Sequence, residues 1–166
     1  MAARRIDGLI RGRPPRKGRH DPRGGGRRSA EDHRGVHRPA DLEASIRHTL
    51  GTTYHYLGEP AQASRQLERA LELRKIELGP DHPETLLTQN NLALAYRDAS
   101  RLELAIPLFE RTVAAQAVKL GPDHLETLLT QNNLALAYRD AGQLERSILL
   151  FERTLAARSA RLGPDH

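Results

Sequence analysis

Residues 79–120 and 121–162 lie over one another without a gap, and 31 of the 42 positions are identical. Residues 37–78 fit the same frame at lower identity. Tyr54, Tyr96 and Tyr138 fall in register, as do Leu50, Leu92 and Leu134, and Leu67, Phe109 and Phe151. A repeat of this length is the mark of a solenoid, in which stacked units share a continuous core. Residues 163–166 read as the start of a fourth unit.

Each unit divides into two helices. In the second unit the first helix is expected from about Glu84 to Asp98, because Leu92, Ala95, Tyr96 and Ala99 recur at helical spacing. The second is expected from about Leu102 to Lys119, with Leu102, Ala105, Ile106, Phe109, Val113 and Ala117 on one stripe. The short Asp-Ala-Ser or Asp-Ala-Gly segment between them suits an antiparallel helix hairpin. Ser100 followed by Glu103 fits a capping box for the second helix. Pro107 is expected to remove one backbone bond and bend that helix. The fold class that follows is an all-α solenoid of three hairpins, 37–78, 79–120 and 121–162.

The tetrapeptide Gly-Pro-Asp-His occurs at 79–82, 121–124 and 163–166. An Asp-His pair invites a reading as metal ligands, but a metal ion needs converging donors, and successive copies stand a whole repeat apart. Punctuation explains the pattern better. Gly79 can close a helix in the left-handed conformation, and Pro80 stops the helix from continuing. Asp81 is then expected to cap the next helix with Glu84 as reciprocal partner, leaving His82 without a special role.

Charge divides the chain. Residues 1–40 carry a net +8 and residues 41–166 a net −3, which together give the overall +5. Residues 1–36 are rich in Arg, Gly and Pro and offer almost nothing apolar to bury, so this tail is expected to be disordered. Its polybasic character allows contact with nucleic acid through phosphates, although it lacks interleaved aromatics for base stacking. The simpler reading is an unselected leader, or translation from an early start codon. The chain has no cysteine, which excludes disulfides and thiolate chemistry and permits a cytoplasmic location. No run of 18 apolar residues is present to span a membrane.

The stretch Asn-Asn-Leu-Ala-Leu-Ala-Tyr-Arg-Asp-Ala-Gly, continued through Phe151 to Gly-Pro-Asp-His, resembles the tetratricopeptide repeat (TPR). The 42-residue unit is similar to the longer form found in kinesin light chain and related bacterial arrays. Leu134, Ala135, Tyr138, Gly142, Ser147 and Phe151 carry the likeness in the third unit, and Leu50, Gly51, Tyr54, Gly58, Ala63 and Leu67 in the first. Ser100 departs from the turn glycine, and Thr112 and Thr154 from a small alanine.

The resemblance implies a scaffold that holds a peptide or partner segment on a concave face lined by the first helices. It places Leu87, Asn90, Asn91, Leu94, Arg97 and Asp98 there in the second unit. In the third it places Leu129, Asn132, Asn133, Leu136, Arg139 and Asp140. The first unit departs, with His48 and His55 where the others carry Asn and Arg. An asparagine amide can grip the backbone of an extended peptide regardless of sequence, and an arginine can pair with a carboxylate. The alternative is that the Asn pairs stitch neighbouring repeats together.

No phosphate loop, nucleophile elbow or H-E-x-x-H motif occurs, so the expected role is non-enzymatic, with no cofactor and no metal. Beyond the second helix of the third unit, Ile148, Phe151 and Leu155 are expected to face water in part, which suggests self-association through that edge or a longer array. The partner's identity is not written in the sequence.

Overall fold

A computed structural model describes residues 39–162, and within them proline and glycine mark most helix boundaries. The order is α1 (Pro39–Tyr56), α2 (Pro60–Glu77), α3 (Pro83–Asp98), α4 (Leu102–Lys119), α5 (Leu125–Asp140) and α6 (Leu144–Leu162). These are three helix hairpins, as the repeat requires. The basic tail, with its nucleic-acid reading, and the start of a fourth unit lie outside the described residues.

Each helix packs on its neighbours in sequence, and the first helices of the hairpins also touch one another, α1 with α3 and α3 with α5. The second helices do not approach each other in this way. The stack therefore curves toward the face made by α1, α3 and α5. Its core runs through the repeats as one cluster, from Ala63, Leu67 and Leu71 through Leu92, Ala93 and Phe109 to Leu134 and Tyr138. At Gly51 the crossing of α1 and α2 is so close that a Cβ would lie 2.5 Å from Leu67 Cγ. Ala93 and Ala135 hold the same position in the other units, where phenylalanine replaces Leu67 in the facing helix.

Two tyrosines fasten successive hairpins. Tyr96 donates to Glu68 Oε1 at 2.7 Å and Tyr138 to Glu110 Oε1 at 2.5 Å, each reaching back 28 residues to the previous second helix. Arg101 and Arg146 lie over the two rings, at 5.0 and 4.0 Å from their centroids. Burial first, and then the hydrogen bond to glutamate, push both hydroxyls up to about 12.

Within each hairpin the turn is a left-handed helix stop. Gly58, Ser100 and Gly142 have φ of 73°, 58° and 74°. Ser100 N–H bonds Arg97 O at 2.8 Å and Arg101 N–H bonds Tyr96 O at 2.8 Å, the paired bonds of a Schellman motif. Ser100 is thus part of the stop and does not cap α4. The residue at that cap is Arg101, whose side chain makes no cap bond. A side chain in the left-handed region costs about 1 kcal/mol. Ser100→Gly is therefore expected to raise the thermal midpoint by a few degrees, read by circular dichroism. α4 runs unbroken through Pro107.

The joint between hairpins corrects another expectation. Gly79 and Gly121 take positive φ and end the preceding helix as anticipated. The cap of α3, however, is His82, whose Nδ1 accepts from Glu84 N–H at 3.3 Å, and His124 does the same for Glu126 in α5. The helices begin at Pro83 and Leu125, which leaves Asp81 and Asp123 one residue too early to cap. The Gly79 and Gly121 carbonyls instead accept from Thr85 and Thr127 hydroxyls, at 2.8 and 2.9 Å. Lys119 reaches back to the Asp81 carbonyl at 2.7 Å.

Candidate functional site

The face made by α1, α3 and α5 is stitched by polar pairs that share one spacing. Asn91 Nδ2 meets His48 Nε2 at 3.3 Å, and Asn133 Nδ2 donates to Asn90 Oδ1 at 3.1 Å. His55 Nδ1 lies 3.1 Å from Asp98 Oδ2, and Arg97 Nε 3.8 Å from Asp140 Oδ2. In all four the partner lies 43 residues further along. Asn90 Nδ2 also donates to Asn91 Oδ1 at 3.3 Å, so amide contacts run from α5 through α3 to His48 on α1. Arg97 and Arg139 each fold onto the adjacent aspartate, at 2.8 and 2.9 Å.

The sequence-selected residues thus share one face but differ in how far they are engaged. His48, His55, Asn90, Asn91, Asn133 and Arg97 all contact a neighbouring repeat. Asn132 and Arg139 reach no other repeat among the described residues. The apolar members are open: Leu87 and Leu129 are 45 % and 49 % exposed, and Leu94 and Leu136 are half-buried. Tyr56, where the other units carry aspartate, is also exposed.

His48 belongs to a second network that sequence reasoning missed. Arg74 on α2 is only 5 % exposed. It pairs with Glu84 Oε2 at 2.8 Å and donates to Thr88 Oγ1 at 2.6 Å and Glu84 O at 3.0 Å. The same nitrogen lies 3.3 Å from His48 Nδ1. Nothing in the sequence singled out Arg74, because the equivalent position is Gln116 in the next unit and Arg158 in the last. Gln116 is buried, and its Oε1 has no hydrogen-bond partner.

Burial and then the Arg74 charge hold the His48 pKa below its usual 6.5, while Glu84 acts weakly in the other direction. The unfolded chain therefore binds the proton more readily than the folded one. This contribution to stability is complete above pH 6.5 and is lost as pH falls below it toward the depressed folded value. His48→Asn, which copies Asn90 and Asn132, is expected to lessen the loss of stability between pH 7.5 and 5. Urea midpoints of parent and variant at both pH values check this.

Among the described residues no three His, Asp or Glu side chains gather as metal ligands. The same residues include no helix long and apolar enough to cross a membrane.

A family model for the tetratricopeptide repeat matches residues 42–117 and 96–160, which spans all three hairpins. The chain belongs to the tetratricopeptide-repeat family. A Podosopora anserina structure, described as a kinesin light chain with nearly identical TPR-like repeats, is similar at 30 % identity and a TM-score of 0.69. The match covers 79 % of this chain and 61 % of that one. BtubC (BKLC) from P. vanneervenii has the same TM-score at 21 % identity, covering 76 % of this chain and 50 % of its own. The TPR domain of Arabidopsis FLU matches at a TM-score of 0.66 and 19 % identity, covering 74 % of this chain and 99 % of that domain. These last two show the fold alone. Among curated protein sequences none matches significantly. The kinesin-light-chain likeness of this TPR chain is therefore shown, while its relatives are not confined to bacteria. With the fold comes the general TPR role of a scaffold for protein interaction.

Proposed function

We propose that the face of α1, α3 and α5 holds a peptide segment of a partner protein, with apolar side chains of that segment against Leu87, Leu94, Leu129 and Leu136. The observation that carries this reading is the exposure of Leu87 and Leu129 on a face whose polar neighbours are already paired. Burying the exposed half of each leucine against a ligand contributes about 1 kcal/mol, and the four leucines together contribute more than a solvated amide contact does. Asn132 and Arg139 supply the hydrogen bonds and the charge at the third unit. Asn90, Asn91, Asn133 and Arg97, together with His48 and His55, hold the helices at fixed spacing and offer their remaining donors and lone pairs to the ligand backbone.

Peptides selected by display against the full chain test this. Their affinity is expected to fall at least about ten-fold in Leu87→Asp with Leu129→Asp, which places charge under the ligand. It is expected to hold in Ile76→Asp with Val118→Asp, on the second helices. The opposite pattern overturns the reading.

A further inference from the structure

The same tyrosine fastens the second hairpin to the first and the third to the second, but an arginine completes only the later joint. There Arg146 Nη2 donates to Glu110 Oε1 at 3.1 Å and to the Tyr138 hydroxyl at 2.6 Å. The guanidinium also covers the Tyr138 ring, 4.0 Å from its centroid. Glu110 therefore accepts from tyrosine and arginine together, and Tyr138 is left 5 % exposed. At the earlier joint the equivalent residues are Glu68, Tyr96 and Leu104. Glu68 accepts from Tyr96 in the same way, but Leu104 stands in the place of Arg146 and brings no donor. Tyr96 is only half-buried, and Leu104 is 36 % exposed. Arg101 approaches the Tyr96 ring at 5.0 Å and makes no ion pair with Glu68.

The earlier joint keeps an open groove between α2 and α4. Glu68, Leu71, Tyr96, Glu103, Leu104 and Leu108 line about 360 Å³ there. Pro107, on the same wall, has no N–H to give the Glu103 carbonyl one turn before it, so a further acceptor lacks its usual helix donor. We infer that this groove receives an arginine side chain of a partner protein, its guanidinium held by Glu68 and stacked on Tyr96 as Arg146 is on Glu110 and Tyr138. The aliphatic stem lies along Leu71 and Leu104. Arginine suits the site better than lysine, because a planar guanidinium bonds a carboxylate and covers a ring at once. Lys75 and Arg111 line the groove two turns further along the same helices. They disfavour a second cation and favour an acidic residue about 10 Å from the arginine, roughly three residues away in an extended segment. The groove lies between second helices, so the inference does not rest on the proposed peptide face.

The probe is the peptide Ac-Leu-Arg-Ala-Ala-Glu-NH2, titrated into the labelled full chain and followed by amide chemical shifts. Saturable shifts are expected at Glu68, Tyr96 and Leu104, and none at Leu87 or Leu129. Citrulline in place of the peptide's arginine keeps the shape and removes the charge, and is expected to weaken binding at least about five-fold. Leu104→Arg in the chain, which copies the third unit at a partly exposed position, is expected to fill the site and abolish the shifts. The inference is overturned by the absence of saturable binding, by equal affinity for the two peptides, or by shifts that persist in Leu104→Arg. Binding that appears only in Arg101→Gln overturns it as well, because Arg101 would then already fill the site.

Discussion

Phe109→Ala is expected to destabilise the array by about 3–5 kcal/mol, the usual cost of emptying a fully buried aromatic site. Phe109 is 0 % exposed and lies at the centre of the cluster that joins the second hairpin to the third. The cavity cannot collapse easily, because its walls belong to helices that are themselves fixed by their neighbours. In a solenoid, loss at a middle unit also weakens the coupling between the units on either side. Urea unfolding of the variant should therefore show a lower midpoint and a broader transition. The same change at Phe151, partly open at the edge of α6, is expected to cost less than half as much. Equal losses at the two phenylalanines would mean that repeat stacking does not set their burial.

The second large effect concerns charge. Glu84→Leu removes the carboxylate from Arg74, leaving a nearly buried guanidinium with the Thr88 hydroxyl and the Glu84 carbonyl as its acceptors. Glu84 is itself half exposed, so part of the Coulomb energy is screened. The expected loss is about 2–3 kcal/mol, at the lower end for a broken buried pair. Adding Arg74→Met replaces the stranded charge with an apolar chain of similar length, and should recover most of that loss. A double-mutant cycle by urea unfolding measures the coupling directly. Additive losses would show that the pair is not coupled.

The repeat register and the bounds of α3 and α4 were legible in the sequence, because each rests on a local rule. Apolar spacing placed α3 and α4 almost to the residue. The position of Ser100 showed a departure from glycine, but its spacing to Glu103 suggested a cap where the backbone makes a left-handed stop. The His82 cap was hidden for a related reason. Aspartate is the better capping residue in general, yet the helix begins one residue later than that rule suggests, at Pro83 in α3 and at Leu125 in α5, so the histidine stands at the cap in both units.

The face of α1, α3 and α5, which we propose holds a peptide, was legible as a set of positions but not as a set of contacts. Alignment of the units reveals a period of 42, whereas the helices touch across that face at a spacing of 43, as in Asn90 with Asn133 and His55 with Asp98. A residue and its own repeat-equivalent are therefore not partners, and reading down one aligned column does not reveal the ladder. Arg74 was invisible for the converse reason. Its column reads Arg, Gln, Arg, which carries no apolar signal, yet the fold buries it.

Amide chemical-shift mapping of a display-selected peptide on the labelled full chain tests the binding face most directly. Shifts confined to α1, α3 and α5, strongest around Leu87, Leu129, Asn132 and Leu136, are predicted. Shifts confined to the outward sides of α2 and α4, around Ile76 and Val118, would contradict it.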